Sequence, residues 1–144
     1  VKMFFKKNRP DAIVPTRNHP TDSGLDLYAV EDVTIEGGET KIVQTGISFS
    51  FDLGLEIQIR PRSGVSLKTP LRVANAPATI DFGYTGDCSV ILWNSNPNVG
   101  YKIKRGDRIA QAVLCPVVIP SSFEEVQSLE NTDRGEKGFG SSGT

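Results

Sequence analysis

The sequence predicts an all-β domain, a sandwich or a barrel of many short strands. Three observations lead there. Apolar and polar residues alternate with a period of two in stretch after stretch, as a half-buried strand requires. The 14 glycines and 9 prolines among 144 residues punctuate those stretches, so the runs between turns are strand-sized. Helical signals are confined to one short segment, which leaves sheets to build the core.

In chain order, residues 1–5 form a first strand, and residues 8–20, with Pro10, Pro15 and Pro20, an extended connector. Residues 21–24 make a turn; then Leu25 and Leu27 share one face of a strand and Asp26 takes the other. Val33 and Ile35 alternate ahead of a Gly37-Gly38 turn. Ile47, Phe49 and Phe51 alternate with serines, and Leu55, Ile57 and Ile59 with Glu56, Gln58 and Arg60. The helical candidate is residues 64–68, one or two turns, opened by Pro61-Arg62-Ser63 and closed before Pro70. Residues 78–93 read as a hairpin. Gly83 and Gly86 let the chain turn, Asp81 stands near the tip, and Cys88-Ser89-Val90-Ile91-Leu92-Trp93 is the apolar run of a buried strand. Tyr101 and Ile103 alternate with lysines, and residues 109–120 are a strand pair or one bent strand. Residues 131–144 are rich in glycine and serine around the single aromatic Phe139 and offer no core of their own. The chain thus divides into a β-rich body, residues 1–130, and a flexible C-terminal arm, residues 131–144.

At 144 residues one domain is expected, burying about two-thirds of its unfolded surface. A net charge of −1 argues against stable nucleic-acid binding, which needs a basic surface. Cys88 and Cys115 are too few for a disulfide framework or a zinc site, and their apolar settings predict buried free thiols. Residues 1–7 are too short and too charged for a signal peptide, and no run approaches the ~18 apolar residues of a membrane span. A soluble, intracellular or cytoplasmic protein is expected.

Several groups can carry chemistry. Asp81, beside Tyr84 at a hairpin mouth, suits gripping a small molecule and activating a water; taken alone it reads more readily as a solvated turn aspartate. Arg62, Ser63 and Gly64, at the start of the short helix, suit an anion, since free backbone N–H groups and a guanidinium fork converge there. The plainer alternative is a surface arginine and a serine cap. Gln111 lies in a buried-looking run and needs a partner, whereas Asp107 and Arg108 read as a surface pair. Successive glycine and serine N–H groups around Arg134 and Phe139 can form an anion nest, with Phe139 placed to stack on a base. Asp26 is a further acidic candidate, which with Asp81 would hold a hydrated Mg²⁺ beside a triphosphate; its plainer reading is a strand aspartate facing water. His19, in the connector, has no assigned role.

The order of these pieces is more specific than any one of them. Ser23-Gly24-Leu25-Asp26-Leu27, Pro61-Arg62-Ser63-Gly64, Thr79-Ile80-Asp81 with Tyr84-Thr85-Gly86-Asp87, Gly106-Asp107-Arg108-Ile109-Ala110-Gln111 and residues 134–143 resemble the five ordered motifs of the trimeric dUTPases. The resemblance implies a jelly-roll-like (β-clip) subunit in a homotrimer, with sites built between subunits. It implies Mg²⁺-dependent hydrolysis of dUTP to dUMP and pyrophosphate, which limits uracil incorporation into DNA and supplies dUMP. Carried over, Asp81 is the general base, and Tyr84 packs on the deoxyribose and excludes a 2′-hydroxyl. Asn75, Thr79, Ile80 and Ser89 read uracil and sugar. Arg62, Ser63, Gly64 and Gln111 contact phosphate, and Asp26 supports the metal through water. Arg134, Phe139, Gly140, Ser141 and Ser142 form an arm that closes over a neighbour's site.

The chain departs from the usual pattern at Ala78, Thr85, Asp87 and Lys137. If position 137 needs a positive φ, a lysine there costs about 1 kcal/mol. A fold-sharing dCTP deaminase would need an added glutamate beside the hairpin, and only Asp81 is acidic between residues 74 and 86. A nucleotide-gated regulatory protein, with partners reading the arm, is the other alternative.

Overall fold

A computed structural model describes residues 1–143. Its strands are β1 (Met3–Lys7), β2 (Leu25–Tyr28), β3 (Val33–Ile35), β4 (Thr40–Val43), β5 (Ile47–Phe51), β6 (Leu55–Arg60), β7 (Leu71–Val73), β8 (Ala78–Ile80), β9 (Val90–Asn94), β10 (Tyr101–Ile103) and β11 (Arg108–Pro116). The helix α1 (Ser63–Lys68) is the only one among the described residues. The strands pair antiparallel as β1-β5, β10-β3, β2-β11-β6-β8 and β4-β9-β7.

The period-two pattern decides which face is buried. Ile57 and Ile59 of β6 point into the core with Leu27 of β2, while Glu56, Gln58, Arg60 and Asp26 take the other face. Leu92, Ile35, Ile47, Ile103, Ile109, Val30, Val43 and Val90 are fully buried with them. Each such side chain contributes about 1.5–3 kcal/mol of transfer free energy. The most deeply buried polar side chain among the described residues is Asn94, which donates from Nδ2 to the carbonyls of Ile35 (3.0 Å) and Val99 (2.9 Å), and its Oδ1 accepts from Asn96 N–H (3.0 Å). Fully partnered, it ties β9 to β3 instead of costing stability.

Three expectations change. The arms of the expected hairpin do not pair with each other: β8 joins β6, and β9 lies between β4 and β7 in another sheet. The turn itself forms, with Tyr84 N–H on the Asp81 carbonyl (3.2 Å) and Gly83 at φ +87°. Val90 and Leu92 are buried while Trp93 is half exposed, because β9 serves a different part of the core from β8. Ser63 is the first helical residue and not the cap; Arg62 holds the capping position with extended backbone. Finally, β11 ends at Pro116, and Val117 N–H on the Gly54 carbonyl (2.9 Å) is the last backbone bond to the body among the described residues. Residues 118–143 are exposed throughout, so the exposed stretch begins well before residue 131.

Candidate active site

Because β8 and β9 splay apart, a gap opens between them. It is a cavity of about 230 Å³, and Asn75, Thr79, Ile80, Asp81, Tyr84 and Ser89 all line it. Strand β8 is an outer strand, paired only to β6, so its other edge offers unpaired backbone groups. A strand edge presents donors and acceptors at fixed spacing, which suits the rim of a planar base.

The aromatic wall is set by a glycine. The Tyr84 ring lies so close over Gly86 that a β-carbon there would collide with it, and Tyr84 Oη donates to the Asp87 carbonyl (3.2 Å). Asp87 is itself committed: its Oδ2 accepts from Ser89 Oγ (2.7 Å) and, more weakly, from Thr45 N–H (3.4 Å). Asp81 has no such side-chain partner among the described residues and sits at the end of β8 on the cavity wall. A carboxylate in that state is free to accept a proton from water.

A second cavity of about 300 Å³ gathers Asp26, Arg62, Ser63, Gly64 and Gln111, with Gly24 on its wall. Strand register brings the first of these together: Gln111 of β11 stands opposite Asp26 of β2 on one side and Arg60 of β6 on the other. Gln111 Nε2 donates to the Pro61 carbonyl (2.9 Å), which answers its need for a partner. Arg62 Nε donates to Asp26 Oδ1 at 2.7 Å, leaving its terminal nitrogens uncommitted to Asp26. The expected Asp107–Arg108 surface pair is absent. Asp107 Oδ2 accepts the Lys104 N–H (2.9 Å), and Arg108 turns instead to Asp26 Oδ2, at 3.6 Å. The Asp26–Arg108 contact depends on strand register and not on local sequence, whereas the Asp87–Ser89 bond joins residues two apart in the chain.

The cavities share no residue, and β2 and β8 are the opposite edges of one four-stranded sheet. Three strand spacings separate those edges by roughly 14 Å. Nor does the arm reach either cavity. Arg134 Nε donates to the Lys137 carbonyl (3.0 Å), Ser141 N–H to the Gly138 carbonyl (3.2 Å), and Phe139 is wholly exposed. Gly140, Ser141 and Ser142 are exposed with it. No non-glycine residue has a positive φ among the described residues, so Lys137 carries no backbone strain here.

Among the described residues no three His, Cys, Asp or Glu side chains gather to hold a metal. Asp26 faces two guanidinium groups, which does not suit direct ligation of a dication. It does suit a Mg²⁺ carried by phosphates, whose retained waters a carboxylate can accept from.

The all-β chain is of jelly-roll-like fold, and its edge-strand pocket beside Asp81 and its arginine-lined pocket on the same sheet suit a nucleotide. The dUTPase family model matches residues 10–143, and the chain belongs to that family. A deoxyuridine 5'-triphosphate nucleotidohydrolase of Rhodococcus erythropolis is 49% identical over 143 residues, covering 99% of this chain and 87% of the relative. The dUTPase of Staphylococcus bacteriophage 80alpha, solved with dUpNHpp, superposes with a TM-score of 0.91 at 31% identity, over 99% of both chains. A variant dUTPase of the staphylococcal phage phi11, which coordinates a structural Mg(II) ion, superposes at 0.82 with 26% identity, over 91% of this chain and 100% of that one.

Proposed function

We propose that the chain hydrolyses dUTP to dUMP and pyrophosphate in a site shared between subunits. One observation carries this reading: the five residues expected to hold deoxyuridine line one cavity together with Asp81, and the four expected at the phosphates line another, with Asp26, at the far edge of the sheet. A symmetric trimer brings both to one nucleotide, with each site taking a base pocket from one copy and a phosphate pocket from the next. The apolar outer face of the β4-β9 pair supports assembly, since Trp93 and Ile42 are exposed there in register with Thr40 and Ile91.

In this site the edge of β8 and Asn75 read the base, and Tyr84 closes against the sugar. Asp81 orients a water and takes its proton as the water oxygen bonds to phosphorus. The phosphoanhydride bond between the α and β phosphates breaks, and pyrophosphate leaves. Arg62, Ser63, Gly64 and Gln111 hold the phosphates in line, and that positioning is worth more than the basicity of a carboxylate. A Mg²⁺ on the phosphates, with Asp26 accepting from its waters, supplies neutralisation of the developing charge. The arm, residues 131–144, then closes on a neighbouring site, with Phe139 on uracil and Arg134, Gly140, Ser141 and Ser142 on phosphate.

The test is pyrophosphate release from dUTP, dCTP, dTTP and UTP in parallel, with and without Mg²⁺, alongside mass by light scattering. The reading requires Mg²⁺-stimulated release from dUTP far above the other three, by a trimer. Release of ammonia from dCTP, or a monomer at micromolar concentration, overturns it. A regulatory role is compatible with this activity: phage dUTPases of the 80alpha type control the transfer of virulence genes by a G protein-like mechanism. Partner capture that depends on a bound dUTP analogue would support that role here.

A further inference from the structure

Asp26 is the meeting point of two arginines from different parts of the chain. Its Oδ1 accepts from Arg62 Nε at 2.7 Å, and its Oδ2 lies 3.6 Å from Arg108. The carboxylate is 15% exposed and Arg62 26%, but Arg108 is 50% exposed. Arg62 also lines a neighbouring cavity of about 210 Å³, and Arg108 stands on its wall beside Thr69 and Asp107. Asp107 makes no ion pair among the described residues and spends one oxygen on the Lys104 N–H, so Asp26 is the carboxylate that Arg108 meets.

Charge balance makes this arrangement consequential. Asp26 and Arg62 are in hydrogen-bond contact and nearly shielded, so at a distance they cancel. A polyanion entering the phosphate cavity would meet a neutral pair. Arg108 shifts that balance: Asp22 also stands on the cavity wall, so without Arg108 two carboxylates would face Arg62 alone beside Ser63, Gly64 and Gln111. It also restrains the second oxygen of Asp26, which keeps the first on Arg62 Nε and leaves the terminal nitrogens of Arg62 for a phosphate.

We propose that Arg108 is a positioning residue of the phosphate site: acting through Asp26, it orients Arg62 and offsets carboxylate charge that a nucleoside triphosphate would otherwise meet. The inference rests on the functional reading above. It differs from the surface-pair reading, in which an exposed arginine contributes almost nothing.

The experiment is calorimetry on the full chain with deoxyuridine, dUMP and a non-hydrolysable imido analogue of dUTP, Mg²⁺ present, at two salt concentrations. The variants are Arg108→Gln, Arg108→Lys, Asp26→Asn and the Asp26→Asn/Arg108→Gln pair. Arg108→Gln should weaken the triphosphate analogue about tenfold, in line with loss of a charge-assisted partner. It should leave deoxyuridine within about twofold, because that ligand uses only the base pocket. The analogue's affinity should fall less steeply with salt in Arg108→Gln than in the wild type. Arg108→Lys should recover part of the lost affinity by restoring the charge. On the Asp26→Asn background the loss from Arg108→Gln should shrink, because the residues act together. Unchanged triphosphate affinity in Arg108→Gln overturns the inference, as does an equal loss for deoxyuridine, which would mark a merely structural role. A wild-type protein that binds none of the three ligands overturns the functional reading and this inference with it.

Discussion

The side-chain amide of Gln111 occupies the space that a β-carbon on Gly24 would fill. The glycine is needed for close approach and not for an unusual φ, since its backbone is not in the left-handed region. Gln111 is held there by its bond to the Pro61 carbonyl (2.9 Å), so an alanine at position 24 must push the amide away from the phosphate cavity. Gly24→Ala should cost about 1–3 kcal/mol of stability through overpacking. It should also weaken a dUTP analogue about tenfold while sparing deoxyuridine. Denaturant melts and calorimetry on the same preparation separate the two effects.

Asp81 stands at the cavity wall without a side-chain partner, unlike Asp87 a few residues on. Asp81→Asn keeps the shape and removes the proton acceptor. Turnover of dUTP should fall about 10²–10⁴-fold with analogue affinity largely intact. Near-normal pyrophosphate release by this variant would remove Asp81 from the role of base.

Tyr84 is packed on Gly86 and anchored by Oη to the Asp87 carbonyl (3.2 Å). Tyr84→Ala should open the sugar end of the pocket, and the ratio of kcat/KM for dUTP over UTP should fall. Tyr84→Phe loses one exposed hydrogen bond and keeps the wall, so its ratio should stay close to wild type. Gly86→Ala should behave like Tyr84→Ala, because the new methyl displaces the ring. Equal ratios for all three variants and the wild type would show that the ring does not select the sugar.

Burial, and after it the charge of Asp87, pushes the Cys88 thiol up to about 12. An unfolded thiol ionises near 8.5, so between those values the unfolded chain releases a proton that the folded chain keeps. The Cys88 contribution to stability is therefore complete below about pH 8.5 and declines by up to about 1.4 kcal/mol per pH unit above it. Cys88→Ala should flatten the alkaline loss of stability between about pH 9 and 11. Native protein at pH 8 should label with a thiol reagent at the partly buried Cys115 alone, and at both cysteines in denaturant.

Much of this is legible in the sequence. The alternation in Leu55, Ile57 and Ile59 marks β6, and Pro61 and Pro70 bracket the helix, because those signals are local. The order of the motifs also pointed to the residues of both cavities. Strand β4 was missed: its Ile42 faces outward while Val43 is buried, so hydrophobicity does not report the inward face. The hairpin was half right for a related reason. An apolar run says that β9 is buried but not against what, and its partners β4 and β7 are set by packing far along the chain. The Asp26–Arg62–Arg108 group escaped for the same cause, since Arg62 lies 36 residues from Asp26 and meets it only in the folded sheet.

The arm carries the last prediction. After Val117 the chain makes only local backbone bonds among the described residues, and Val118, Phe123, Leu129 and Phe139 are all largely exposed. A wholly exposed phenylalanine gains nothing in water, so Phe139 has a use only if something covers it. Uracil in a neighbour's base pocket fits that need, and the turn formed by Gly135, with N–H on Thr132 Oγ1 (3.0 Å), is already in place beside Arg134. Truncation after Leu129 should leave thermal stability and trimer mass unchanged, because no core contact is lost. It should still cut dUTP turnover by one to three orders of magnitude, roughly what loss of closure and positioning costs. Phe139→Trp gives a direct readout: its fluorescence should be quenched on adding the imido analogue of dUTP, when the base stacks on the indole. Lys137, unstrained in the present turn, should let that closure proceed. A truncated chain that turns over dUTP at the full rate, or an indole signal blind to the analogue, would leave the arm a plain tail.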